Sequence, residues 1–134
     1  MSPSQKPGKV RRGYLILIVD DELCMREILR EFLERVGFRV VEAENGRRAI
    51  EAAIRERPRL ILMNYLMPVM DGLEASRIIH EDPELSRIHI ILNSACDEDE
   101  MRKEALQAGC IDFIHVPYAP KEILSKVMSH ILVG

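Results

Sequence analysis

Five short apolar runs recur along the chain, and each is followed by apolar residues at helical spacing. "YLILIV" (14–19) is apolar throughout, as suits a strand covered on both faces. Met25, Ile28, Leu29, Phe32, Leu33 and Val36 follow at helical spacing, and Gly37 ends that helix. "FRVVEA" (38–43) is a second strand, Asn45-Gly46 a turn or helix entry, and Ala49, Ile50, Ala53 and Ile54 a second helical stripe. "LILM" (60–63) is the third strand. Gly72 opens a helix that carries Ala75, Ile78 and Ile79 and stops near Asp82-Pro83. "IHIIL" (88–92) is the fourth strand. "DEDE" (97–100) sets acids in the first turn of the next helix, where the macrodipole favours them. Asp97 and Glu100 have capping-box spacing, and Gly109 ends this helix. "DFIHV" (112–116) is the fifth strand, and Pro120 starts a helix with Ile123, Leu124, Val127, Met128, Ile131 and Leu132 in one stripe.

This alternation predicts an α/β fold, (βα)5, with a five-stranded parallel sheet and helices on both faces. Right-handed crossovers favour the doubly wound order 2-1-3-4-5, a flavodoxin-like three-layer sandwich. Its binding crevice lies at the carboxyl ends of strands 1 and 3. A length of 134 residues suits one domain.

Charge divides the chain unevenly. Residues 1–13 hold Lys6, Lys9, Arg11 and Arg12 and no acid; subtracting this +4 from the total of -3 leaves -7 for residues 14–134. The basic, Pro- and Ser-containing start is expected to be a flexible arm, or a segment that orders on a partner. It lacks a signal peptide's apolar run, and no stretch approaches the ~18 apolar residues of a membrane span. The modest negative total gives no global pull towards nucleic acid or an anionic membrane. Cys24, Cys96 and Cys110 are odd in number and form no C-x-x-C pair, which favours a reducing cytoplasm over a disulfide framework.

The strand ends gather chemistry at one edge. Strand 1 ends in Asp20-Asp21-Glu22, strand 3 in Asn64, strand 4 in Asn93-Ser94 and strand 5 in Val116-Pro117. Clustered carboxylates raise one another's pKa, and a hard cation such as Mg2+ relieves that repulsion. The competing explanation is that Asp21 and Glu22 merely cap the first helix.

The chain resembles the receiver domains of two-component response regulators over residues 14–133. The resemblance rests on "LIVDDE" (17–22), "LILMNYLMPVMDGLE" (60–74), "ILNSA" (91–95), "AGCIDFI" (108–114) and "VPY" (116–118). It implies phosphoryl-transfer signalling with a sensor histidine kinase. An acidic pair, here Asp20 and Asp21, helps hold Mg2+. An aspartate ending strand 3 accepts the phosphoryl group. A Thr or Ser hydroxyl, here that of Ser94, and a lysine before the proline after strand 5 bind its oxygens. An aromatic residue, here Phe113, switches rotamer and reports to the face of helix 4, strand 5 and helix 5. The resemblance also implies a cis Val116-Pro117 peptide.

Two positions depart from that pattern. Asn64 stands at the acceptor and Val116 at the lysine. Covalent catalysis needs a nucleophilic carboxylate, and an amide's lone pair is delocalised. The missing lysine removes preorganised positive charge, commonly worth a few kcal/mol. The changes compensate in charge: three acids and a base become two acids, and the pocket stays at -2.

A degenerate, stand-alone receiver in the cytoplasm is therefore expected. It is not phosphorylated at the usual site, and it acts on a protein partner or itself through helix 4, strand 5 and helix 5. The partner is a sensor histidine kinase or a downstream effector, with no role for nucleic acid or membrane. Mg2+ on Asp20, Asp21 and Asn64 is expected to be weakened. One alternative is a regulator phosphorylated on Asp20 or Asp21. Another is a small-molecule-binding flavodoxin-like module, although no Gly-rich phosphate cradle is present. No nucleophile–base pair supports a turnover enzyme. Phe113 and His115 are expected in the core, and Cys96 as an ordinary loop residue.

Overall fold

The computed structural model describes residues 13–131. The basic arm (except Gly13) and Leu132 lie outside the described residues. The elements run β1 (Leu15–Val19), α1 (Leu23–Val36), β2 (Arg39–Ala43), α2 (Gly46–Glu56), β3 (Leu60–Asn64), α3 (Gly72–Glu81), β4 (His89–Ser94), α4 (Glu98–Gln107), β5 (Asp112–His115) and α5 (Pro120–Ile131). All strand pairs are parallel, and the sheet order is β2-β1-β3-β4-β5.

The apolar runs are continuous because both faces of the sheet are covered, and strand side chains alternate between faces. Leu17, Val19, Ile61 and Met63 enter one core with Ala49, Ala53, Ala75, Ile79 and Met101 of α2, α3 and α4. Ile16, Ile18, Leu60 and Leu62 enter the other, with Leu29, Leu33, Ile123 and Val127 of α1 and α5. Full burial of each of the Leu, Ile, Val and Met side chains contributes roughly 1.5–3 kcal/mol.

The helical stripes are narrower than their spacing suggests. Ile28, Ile54 and Ile78 are 54%, 52% and 39% exposed, so they flank the sheet rather than face it. Each helix buries one narrow strip, and α2 does so with Ala49, Ala52 and Ala53, whose small size lets it approach closely. Some strand limits also shift: Tyr14, Phe38 and Val116 fall just outside their strands, while β4 extends to Ser94.

Helix entries use side-chain caps where the chain supplies them. Asn45, Asp71 and Asp97 accept backbone N–H bonds from Arg48, Glu74 and Glu100 at 2.9, 2.9 and 3.0 Å. Gly37 and Gly109 follow α1 and α4 at φ +119° and +93°.

The β3–α3 loop carries local backbone strain. Val69 lies at φ +72°, and the Met70 N–H donates to the Pro68 carbonyl at 2.8 Å, closing a three-residue turn. A β-branched residue resists that conformation. Gly72, by contrast, is fitted: a methyl there would overlap the Asn64 carbonyl oxygen and press on Met63. Val69→Gly is expected to stabilise the fold by about 1 kcal/mol, by relief of strain. Gly72→Ala is expected to cost about 1–3 kcal/mol. Urea unfolding midpoints check both.

Candidate functional site

The carboxyl edge of the sheet collects the polar strand ends. Register pairs Val19 with Met63, so Asp20 and Asn64 leave adjacent strands side by side. Asn64 pairs with Asn93 across β3 and β4, and Ser94 pairs with His115 across β4 and β5. The Val116 N–H donates to the Ser94 carbonyl at 2.9 Å, which sets the valine beside the serine. The Val116–Pro117 peptide is cis.

Asp20 is the buried acid of this edge, at 7% exposure. Its Oδ1 accepts the Glu22 N–H at 2.9 Å. Burial raises its pKa, the Glu22 bond opposes that rise, and the charges of Asp21 and Glu22 add to it. Asp21 is exposed. Glu22 occupies the N-cap of α1 but makes no side-chain cap bond, so the expected capping by that residue is not formed.

Asn64 is half-buried, and its Nδ2 donates to the Leu66 carbonyl at 3.1 Å. A carboxylate cannot make that bond, because it has no proton to give. The amide therefore ties the start of the β3–α3 loop. The Ser94 hydroxyl oxygen accepts the Cys96 N–H at 3.0 Å, and Ser94 itself is 3% exposed. Cys96 is half-buried in the loop that this bond holds.

Two residues without an assigned role in the sequence interact with Asp20 by hydrogen bond or by charge. Arg26, six positions on in α1, donates from Nη1 to the Asp20 carbonyl at 2.8 Å. Its Nε meets Glu42 at 2.9 Å, and Arg30 binds the other Glu42 oxygen. Burial opposes the ionisation of Glu42, but hydrogen bonds from Arg30 and Arg26 hold its pKa below the ordinary value. Arg26 also favours the ionised form of Asp20. Tyr118 lies beyond the cis proline, and its phenol is pushed up to about 12 by burial first and the Asp20 charge second. The signal for Arg26 was its helical offset from the acidic pair, which apolar periodicity does not register.

Phe113 is buried in the core on the α4 side, with the Arg102 guanidinium 5.5 Å from its ring centre. His115 is half-buried rather than enclosed, because β5 is the edge strand and ends at this residue.

The donor set suits a hard cation only in part. Asp20 and Asp21 supply carboxylates, while Asn64 has a neutral carbonyl oxygen to offer. Among the described residues, no three His, Cys, Asp or Glu side chains converge as a metal site. Among the described residues, no helix is long and apolar enough to cross a membrane.

The raised pKa of Asp20 has a definite sign in stability. The folded state holds the proton more tightly, so ionising Asp20 costs stability as pH rises through its folded pKa. Below about pH 3.8, its ordinary value, the carboxyl is protonated in both states and that cost is absent. Asp20→Asn is expected to raise the thermal midpoint at pH 7, with the gain shrinking towards pH 3.8. A lower midpoint at pH 7 would show that the Arg26 and Glu22 contacts outweigh burial.

The family model for the response regulator receiver domain matches residues 16–128. The phosphate regulon transcriptional regulatory protein PhoB of Pseudomonas aeruginosa is 34% identical over 115 residues, covering 86% of this chain and 50% of that protein. The transcriptional regulatory protein ResD of Bacillus subtilis is 38% identical over 112 residues, covering 84% of this chain and 45% of that protein. The chain thus spans about half the length of these relatives. Among solved structures, the signal receiver domain of a signal transduction histidine kinase from Syntrophus aciditrophicus superposes with a TM-score of 0.82 at 32% identity, covering 89% of this chain and 90% of that one. The chemotaxis response regulator CheY4 of Vibrio cholerae shares the fold, with a TM-score of 0.81 at 24% identity over 87% of this chain and 96% of its own. Receiver domains are signalling modules that interact with histidine kinases and effectors and commonly bind Mg2+ at the phosphorylation site. Match length and identity together carry the conclusion: this chain belongs to the response regulator receiver domain family of two-component signalling.

Proposed function

We propose that this receiver is not phosphorylated at its acceptor position and signals by protein–protein contact. One observation carries the proposal: the last residue of β3 is Asn64, an amide that donates to the Leu66 carbonyl. An amide offers no carboxylate oxygen for an acyl phosphate. Val116 beside Ser94 supports the same reading, since it brings no positive charge to a phosphoryl group.

Asp20 and Asp21 are poor substitutes. Asp20 is buried and already accepts the Glu22 N–H, while Asp21 is exposed. Two carboxylates and one neutral oxygen hold Mg2+ more weakly than three carboxylates. The contact surface in this proposal is α4–β5–α5. There β5 is an edge strand, and Leu106 and Ile111 stand 58% and 38% exposed.

The test is intact-mass measurement after incubation with Mg2+ and acetyl phosphate. The native chain is expected to gain no phosphoryl group. A gain that disappears in Asp20→Asn or Asp21→Asn would overturn the proposal. Asn64→Asp alone is expected to gain little, and Asn64→Asp with Val116→Lys substantially more. Asn64→Asp is also expected to lower stability by about 1 kcal/mol through loss of the Leu66 bond.

A further inference from the structure

The opposite, amino-terminal edge of the sheet carries a groove of about 490 Å3. It is lined by Arg39, Arg57, Arg59 and Arg87, with Glu56 and Glu84 as its acids. Both acids are engaged: Glu56 with Arg55 at 2.8 Å, and Glu84 with Arg57 at 3.1 Å. Arg57 is engaged as well. It donates to the Ile54 and Glu84 carbonyls at 3.1 Å each, and so answers the negative C-terminal end of α2.

Arg39, Arg59 and Arg87 remain. Among the described residues, none of the three makes a salt bridge. The backbone holds two of them around the start of β1: the Arg39 N–H donates to the Tyr14 carbonyl at 2.9 Å, and the Arg59 N–H to the Leu15 carbonyl at 2.8 Å. Arg59 is half-buried, and its guanidinium carbon sits 4.7 Å from the Tyr14 ring centre, a cation–π contact that restrains it. Gly13 lines the same groove.

This placement runs against the charge of residues 14–134, which is -7 once the +4 of residues 1–13 is taken from the total of -3. Like charges gathered at one groove repel, and the repulsion grows as water is excluded. An anion removes that cost. Guanidinium groups match phosphate oxygens two at a time and are less strongly hydrated than ammonium groups. The groove volume lies in the range of small-ligand sites. Glu56 and Glu84 line the groove among the arginines, so it is not a continuous basic stripe of the kind along which a nucleic-acid backbone runs.

We infer that this groove binds a phosphate-bearing anion of nucleotide size, with Arg59 and Arg87 as its principal contacts. The site is independent of the Asn64 crevice, so it stands or falls separately from the phosphorylation test.

Calorimetric titration of the full chain with inorganic pyrophosphate and with ATP, against sodium chloride of matched ionic strength and with a single-stranded oligonucleotide as the rival ligand, tests the inference. Saturable binding of both is expected. Arg59→Gln with Arg87→Gln should weaken it at least about tenfold, or about 1.4 kcal/mol. Arg77→Gln, on α3 and outside the groove, should leave it unchanged. Circular dichroism confirms that each variant is folded, and Arg39→Gln alone replaces the double variant if that one is not. Tighter binding of ATP than of pyrophosphate would support a ligand that also docks its base. No saturable binding, equal binding by native and groove variants, or binding confined to a single-stranded oligonucleotide would each overturn the inference.

Discussion

The central strands are buried on both faces, and most of the structure depends on that. Ile16 to Val19 and Leu60 to Met63 send alternate side chains into two separate cores, and every one of them is nearly inaccessible. Polar groups in the middle of such strands would be buried without partners, at a cost of several kcal/mol. Polar chemistry is therefore driven to the strand ends. At the carboxyl edge the chain leaves β1 through Asp20, β3 through Asn64 and β4 through Ser94. At the amino edge it enters β2 through Arg39 and meets Arg59 just before β3. Two polar edges of opposite charge follow from one packing rule.

The same rule explains what the sequence made legible. Continuous apolar runs and the helical stretches between them specified strand number, parallel pairing and sheet order, because few other arrangements cover both faces. Periodicity was less informative about depth. Ile28, Ile54 and Ile78 keep helical spacing but lie beyond the narrow strip that touches the sheet. His115 sits on an edge strand, where one side has no neighbouring strand to enclose it. The identities of Asn64 and Val116 were plain in the sequence. The partners of the crevice were not: Arg26 reaches the Asp20 carbonyl from α1, the Asp20 charge is felt by Tyr118 after β5, and only tertiary packing brings these groups together.

Arg26 bears on how the crevice remains tolerable without a lysine. Asp20 is buried beside Asp21 and Glu22, an arrangement that disfavours its charge. Arg26 supplies a nearby cation, but a committed one, since its Nε is bound to Glu42 and its Nη1 to the Asp20 carbonyl. Glu42 is shared in turn with Arg30. The guanidinium thus offsets part of the acidic charge while its donors are already directed at protein oxygens. A phosphoryl group entering the crevice would compete with Glu42 for that cation.

Asn64 completes this electrostatic picture. An aspartate there would add a third acid to Asp20 and Asp21 with no lysine opposite, and would face the Leu66 carbonyl with no proton to share. The amide avoids the extra charge and turns a repulsive contact into a hydrogen bond of 3.1 Å. That bond anchors the loop whose next residues include Val69, held at φ +72° and 74% exposed. On the proposed reading, the one residue that withholds a carboxylate also holds the shape of the loop. Val116 is consistent with it, because a lysine at that place would have no third acid to neutralise. Within the crevice, the polar groups of Asp20, Asn64 and Ser94 each have a hydrogen-bond partner inside the protein.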